Sequence, residues 1–418
     1  MIRALVSALA VALVLAACRG ARPLPPPTPS GPTPLTATPT PEGRPGSGIT
    51  STPIPPSPTP VSATATPARP VTPTPGQPTA PPTPTLRPQT VPVTTPTASP
   101  GDAYGVSLGA VRDAEVMPRA IQLAGQAGIG WIRFGIWYAI VQPQAGAPYR
   151  FAEAGYDAQV RLARASGLQI LGLLGFATVW NTTAPRTLPP EVDPTRFPPR
   201  DLAAWADYVF QTVSRYRADI RHWEIWNEPD LRGFWAGTPQ QYAELLAVTY
   251  QTIKRADPQA QVLLGGLAMS EEPQTFLPTI LGDPVHPAAR SFDIMNVHCY
   301  FPKEIAQRKF TALRQVLARY GAADKPLWIT EIGYSSEPSR QKDPRYQGPE
   351  GQARWLEEML PFALHELGAT RVFWFQLFDY PPTFPRDVQA RAHGLLDARG
   401  QPKPAYDAYR RLIGRTVR

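Results

Sequence analysis

Two glutamates in this 418-residue chain each end a short apolar run. The first run is His222-Trp223-Glu224-Ile225-Trp226-Asn227-Glu228-Pro229, and the second is Pro326-Leu327-Trp328-Ile329-Thr330-Glu331-Ile332-Gly333-Tyr334. Each reads as a buried strand opening into a loop, with Pro229 and Gly333 as breakers. A carboxylate at such a strand end is costly to hold and is better explained by chemistry than by packing. Two of them, about a hundred residues apart, suggest one site assembled from separate strands. Strand alternation puts Trp226 and Glu228 on one face and Asn227 on the other, unless the strand end twists. Glu224 shares the parity of Glu228 but lies deeper, where a paired structural acid is expected.

The elements that must bring the acids together alternate between strand-like and helix-like segments. Strands are expected at Tyr104–Leu108, Gly130–Phe134, Gln169–Leu174, Arg221–Trp226, Gln261–Gly265, Asp293–His298, Pro326–Thr330 and Arg371–Gln376. Amphipathic helices fall between most of them, and Thr238 with Gln241 fits a capping box at the start of one. Near-continuous apolar strands alternating with helices argue for a parallel sheet covered by helices. Eight such units within 101–418 favour an α/β fold of the (β/α)8 TIM-barrel type over an open doubly wound sheet. The first βα turn also lacks a G-x-G-x-x-G fingerprint. A barrel gathers all its strand C-termini at one mouth, so Glu228 on strand four and Glu331 on strand seven face each other there.

Asn227-Glu228-Pro229 after strand four and Trp328-Ile329-Thr330-Glu331-Ile332-Gly333 at strand seven resemble a large clan of retaining (β/α)8 glycoside hydrolases. Cellulase-like, β-xylosidase/α-iduronidase-like and endo-galactanase enzymes belong to it. The resemblance spans 101–418 and implies Glu228 as acid/base and Glu331 as nucleophile. Retaining hydrolysis needs two carboxyl groups about 5–5.5 Å apart, one ionised and one protonated. Arg133, in Trp131-Ile132-Arg133-Phe134, matches the clan's strand-two arginine beside the nucleophile. Asn227 matches its asparagine to the sugar 2-hydroxyl. His298 and Tyr300, in Asn296-Val297-His298-Cys299-Tyr300, resemble the residues flanking the nucleophile, with Tyr300 as a donor to Glu331. Trp374 matches the aromatic platform under the reacting sugar. Each also has a plainer role open to it: a barrel-mouth ion pair for Arg133, a turn residue for Asn227, a structural imidazole for His298, core packing for Trp374.

The N-terminus has a different character. Arg3 and the apolar run Ala4–Ala17 read as a signal segment over 1–17, too short to span a bilayer as a helix. Leu15-Ala16-Ala17-Cys18 resembles a bacterial lipobox, which implies lipidation of Cys18 and a membrane anchor; an ordinary signal peptide is the alternative. Residues 18–100 form a Pro/Thr-rich linker, expected to be disordered, and residues 19–100 hold 27 of the chain's 54 prolines. That density favours extended polyproline II and precludes a packed core. Of the net charge of +8, residues 1–100 carry +5, so the folded part has no basic face for nucleic acid. Only Cys18 and Cys299 exist, which excludes a disulfide framework if Cys18 is lipidated.

No H-E-x-x-H or Cys/His cluster supports a metal site at His222, Glu224, His298 and Glu331, and no cofactor is implied. The expectation is an exported, surface-tethered, monomeric glycosidase acting on extracellular poly- or oligosaccharides. The alternative is a non-catalytic carbohydrate-binding lipoprotein on the same barrel, with a purely structural surface protein as a third possibility.

Overall fold

The computed structural model describes residues 100–109, 116–270, 274–338, 343–382 and 391–415. The expected signal segment and linker, Cys18 included, lie outside the described residues, as do residues 110–115, 271–273, 339–342, 383–390 and 416–418.

Eight strands alternate with helices along the described chain. In order they are β1 (Tyr104–Ser107), α1 (Val116–Gln126), β2 (Trp131–Trp137), α2 (Tyr138–Val141), α3 (Tyr156–Ala165), β3 (Gln169–Gly175) and α4 (Leu202–Tyr216). Then follow β4 (His222–Ile225), α5 (Pro239–Ala256), β5 (Gln261–Leu263), α6 (Phe276–Leu281) and β6 (Met295–Cys299). The chain closes with α7 (Lys303–Arg319), β7 (Leu327–Ile332), α8 (Gly348–His365), β8 (Arg371–Phe375) and α9 (Pro404–Arg415). Every paired strand is parallel, in the spatial order β5-β4-β3-β2-β1-β8-β7-β6. Parallel bridges from Leu263 to Ile294 and from Leu267 to Val297 join β5 to β6 and close the barrel.

The local chemistry explains the elements. Thr238 caps α5: its hydroxyl accepts from the Gln241 amide at 3.2 Å, while the Gln241 side chain accepts from the Thr238 amide at 2.8 Å. Pro239 follows at the first helical position, where its missing N–H costs nothing. Asp201 caps α4 by accepting from the amides of Ala203 and Ala204. The buried stripe of α4, Trp205, Tyr208, Val209, Thr212, Val213 and Tyr216, recurs at helical spacing and faces the barrel wall. Inside the barrel, Trp131, Leu171, Leu263, Ile294, Trp328 and Phe373 form one apolar layer beneath the mouth.

Boundaries differ from the sequence expectation where the backbone bends. β4 stops at Ile225, because Trp226 (φ 69°) and Glu228 (φ 46°) take left-handed conformations. β7 runs on to Ile332, with a register shift against β6 and β8 around Thr330 and Glu331. Removing the α5 cap is expected to leave the barrel intact: Thr238→Ala should cost about 1 kcal/mol, read as a lowered melting temperature.

Candidate active site

Arg133, in β2, is 3% exposed, and its guanidinium is engaged by three side chains from β4 with its extension and from β7. Nε donates to Glu224 Oε2 at 2.6 Å, and Nη2 donates to Glu224 Oε1 at 3.1 Å and to Asn227 Oδ1 at 2.8 Å. Nη1 donates to Glu331 Oε1 at 2.7 Å. Burial opposes the Arg133 charge, but Glu224 and Glu331 more than offset it and hold the pKa above its ordinary value. Glu224 Oε1 also accepts from the Gly266 amide at 3.0 Å and from Asn296 Nδ2 at 2.9 Å. Glu224 is therefore the buried, paired acid expected at its depth.

Above this base sit the two strand-end acids. Tyr300 donates its hydroxyl proton to Glu331 Oε2 at 2.7 Å. His298 Nδ1 lies 2.8 Å from Glu228 Oε1 and 3.7 Å from Glu331 Oε2. One side-chain atom each from Glu228, His298 and Glu331 lie within 4.8 Å of one another. The donor set does not fit a metal: Arg133 is 2.7 Å from Glu331, and Tyr300 and His298 already occupy carboxylate lone pairs.

The two acids are driven apart electrostatically. Burial pushes the Glu228 carboxyl up, with the Glu331 charge adding to it, and His298 only partly reverses the effect. Burial acts on Glu331 in the same direction, but the charges of His298 and Arg133 and the hydrogen bonds from Tyr300 and Arg133 prevail, and its pKa falls. His298 is itself raised, because the two carboxylates overcome its burial. One carboxyl is thus held protonated at a pH where its neighbour is ionised.

Local backbone geometry decides which side chains reach this hollow. On a regular strand Trp226 would share the face of Glu228. Instead the left-handed turn at Trp226 swings its indole outward, where Nε1 donates to Phe234 O at 2.7 Å and the ring packs beside Trp205 of α4. Asn227 and Glu228 then both point inward, to Arg133 and His298 respectively. At β7 the register shift does the same for Thr330 and Glu331: Thr330 Oγ1 accepts from Asn296 Nδ2 at 3.2 Å while its neighbour meets Arg133.

Trp374 does not take the platform place that the resemblance implies. Its ring is fully buried, donates Nε1 to His393 O at 2.9 Å, and packs edge-on against Trp355 of α8 at 5.8 Å. Alternation along β8 turns Phe373 and Phe375 inward and Trp374 toward the helices, so the indole cannot lie under a sugar. Phe375 is the inward ring beside the site, 6.3 Å from Tyr300 and 6.0 Å from His393. Counting parity from Phe373 would have found it.

Other site residues carried no motif. Gly266 offers only its backbone: a Cβ there would fall 2.2 Å from His298 Nε2 and 2.9 Å from Glu224 Oε1. Arg196, in the loop after β3, lies buried with its guanidinium 4.0 Å over Phe176 and 5.0 Å over Phe234. Burial lowers its pKa to about 10 against the pull of Asp193, so it stays charged at neutral pH.

Residues 203–409 match the family described as glycosyl hydrolase catalytic core. With eight parallel strands closed around the paired acids, the described domain is a (β/α)8 glycoside hydrolase core. The β-xylosidase of Caldicellulosiruptor saccharolyticus is 25% identical over 242 residues, which are 51% of this chain and 47% of that enzyme. The β-xylosidase of Geobacillus stearothermophilus is 25% identical over 247 residues, 51% of this chain and 46% of the enzyme. The chain thus spans about half the length of the curated relatives it matches. A monomeric β-xylosidase from Caulobacter crescentus superposes with a TM-score of 0.59, covering 74% of this chain and 68% of that one. At 21% identity, that likeness establishes the fold alone.

Gly266→Ala tests the packing at the base of the site. The new methyl group should destabilise the domain by about 1–3 kcal/mol and displace the His298 ring, visible as shifted imidazole resonances in NMR spectra.

Proposed function

We propose that the barrel is a retaining glycosidase that cleaves O-glycosidic bonds of poly- or oligosaccharides by double displacement. The observation that carries this reading is the approach of the Glu228 and Glu331 carboxylates to within 4.8 Å, with their proton affinities driven in opposite directions. In the first step ionised Glu331 attacks the anomeric carbon. The bond to the leaving oxygen breaks and that oxygen takes the proton of Glu228, leaving a glycosyl ester on Glu331. In the second step Glu228, now a carboxylate, takes a proton from water, whose oxygen displaces Glu331 from the sugar. Arg133 and Tyr300 orient Glu331 and stabilise its charge, both before attack and when it departs. Asn227 spends its carbonyl on Arg133, which leaves its amide N–H groups to donate to the sugar.

The relatives support β-xylosides as a substrate class: both curated matches are β-xylosidases, so aryl β-xylosides are the first substrates to try. The apolar N-terminal run and the Pro/Thr-rich segment support action outside the cell by a chain tethered through Cys18, which on our reading is a monomer.

Hydrolysis requires Glu331 ionised and Glu228 protonated, so kcat/KM should trace a bell. It rises as pH passes the depressed Glu331 pKa and falls as pH passes the raised Glu228 pKa. On a chromogenic aryl glycoside, Glu331→Ala should abolish turnover. Glu228→Gln should slow a poor leaving group by roughly a hundred- to ten-thousandfold and erase the alkaline limb. NMR of the first-formed sugar should show the substrate's anomeric configuration; initial inversion would overturn the retaining mechanism.

A further inference from the structure

We propose that Trp137 is a specificity-determining residue whose indole N–H donates to the 3- or 4-hydroxyl of the sugar seated between Glu228 and Glu331. This deepens the glycosidase reading and rests on it. β2 pairs with β3 in unbroken register from Trp131 to Trp137. The alternation that turns Trp131 into the apolar layer and Arg133 toward Glu331 therefore turns positions 135 and 137 inward as well. Position 135 is a glycine, and the indole folds down over it: a Cβ there would fall 2.2 Å from Cζ2 and 2.4 Å from Cε2 of Trp137. The ring thus lies on the lumen side of the strand, one inward position above Arg133. Gly175, the partner of Trp137 in β3, also lacks a side chain, and a Cβ there would fall 3.9 Å from Cζ3 of the indole.

The indole is held in place. Phe176 stacks on it at 5.3 Å with 13° between the planes, and the Trp137 amide donates to the Tyr156 hydroxyl at 2.8 Å. Its one polar atom, however, has nothing in the protein to bind. Trp131, Trp180, Trp205, Trp226, Trp235 and Trp374 each donate Nε1 to a protein oxygen. The Nε1 atoms of Trp223 and Trp328 are unpaired but sealed from solvent. Trp137 is half-buried, its Nε1 finds no acceptor among the described residues, and the atom is not sealed. An indole N–H in such a place usually finds a partner. Here the partner comes from outside the chain: water while the mouth is open, a hydroxyl oxygen when a sugar enters.

The surroundings select a neutral acceptor. Indole nitrogen donates and does not accept, so its ligand must offer a lone pair. Arg133 beneath it is already matched by Glu224 and Glu331, which leaves no spare positive charge to draw an anion. Asn227, tied to Arg133 at 2.8 Å, serves the 2-hydroxyl on the reading above. The indole, standing over the same arginine from β2, is left for the hydroxyls farther from the anomeric carbon, on C3 or C4. A donor aimed at a hydroxyl discriminates against the sugar that lacks it, because the donor then goes unpaired. Trp137→Phe keeps an aromatic ring between Phe176 and Gly135 and deletes only the donor edge.

The test is an NMR titration of the full chain, labelled with 15N at tryptophan and histidine, with D-xylose, L-arabinose, D-glucose and D-galactose. The Trp137 indole signal is assigned by its through-space contacts with Phe176 and by its loss in Trp137→Phe. With the sugar that shifts the His298 imidazole, the Trp137 N–H should move downfield and saturate at the same concentration. Either the 3-deoxy or the 4-deoxy form of that sugar should bind without moving it. Trp137→Phe should weaken binding of the parent sugar roughly three- to tenfold and leave binding of that deoxy form unchanged. A Trp137 signal that stays still with every sugar, or that moves with both deoxy forms, overturns the proposal. Should the variant fail to fold, those two readings on the unsubstituted chain decide. Hydrolysis of an aryl glycoside with a Trp137 signal that no sugar moves would sink the proposal and leave the glycosidase reading standing. A Trp137 signal that responds to sugar in a chain that hydrolyses no aryl glycoside would do the reverse.

Discussion

The site depends on one buried cation. Arg133 is held simultaneously by Glu224, Asn227 and Glu331, residues drawn from β4 and its extension and from β7. A guanidinium taken out of water is expensive unless every donor finds an acceptor, and these acceptors supply both charge and geometry. Because its fork is planar and rigid, satisfying Glu224 with one edge dictates where Glu331 and Asn227 must sit. The neighbouring strands are thereby locked at their functional ends.

That lock sets the electrostatics above it. Glu331 is paired with Arg133 and accepts a tyrosine hydroxyl, while at Glu228 burial and the charge of Glu331 outweigh the imidazole and the more distant Arg133. Two identical side chains a few ångströms apart are made chemically different by their neighbours. Glu224 differs from both, its oxygens already committed to Arg133, Gly266 and Asn296.

Strand irregularities are as necessary as the charges. An ideal strand presents every second side chain to the interior, yet Asn227 and Glu228, and likewise Thr330 and Glu331, are consecutive residues used on the same side. Left-handed backbone at Trp226 and Glu228 and the shifted register of β7 make that possible. Such departures carry a conformational cost, and here they coincide with the acids.

Apolar strands alternating with amphipathic helices, and acids at the ends of strands four and seven, were written in local order, because periodicity and breakers are properties of adjacent residues. The barrel, the pairing of Glu228 with Glu331 and the structural role of Glu224 all followed from that order. Facing directions at distorted positions did not. The resemblance points to Trp374 as a sugar platform, whereas β8 parity turns it to the helices, and regular alternation groups Trp226 with Glu228, whereas the bend separates them. Gly266 bears no motif, since it matters only through His298 and Glu224, partners remote in the chain. Local sequence specifies which segments become strands and where their acids lie; proton affinities and side-chain facing are set by long-range contacts, which exist only once the barrel has closed.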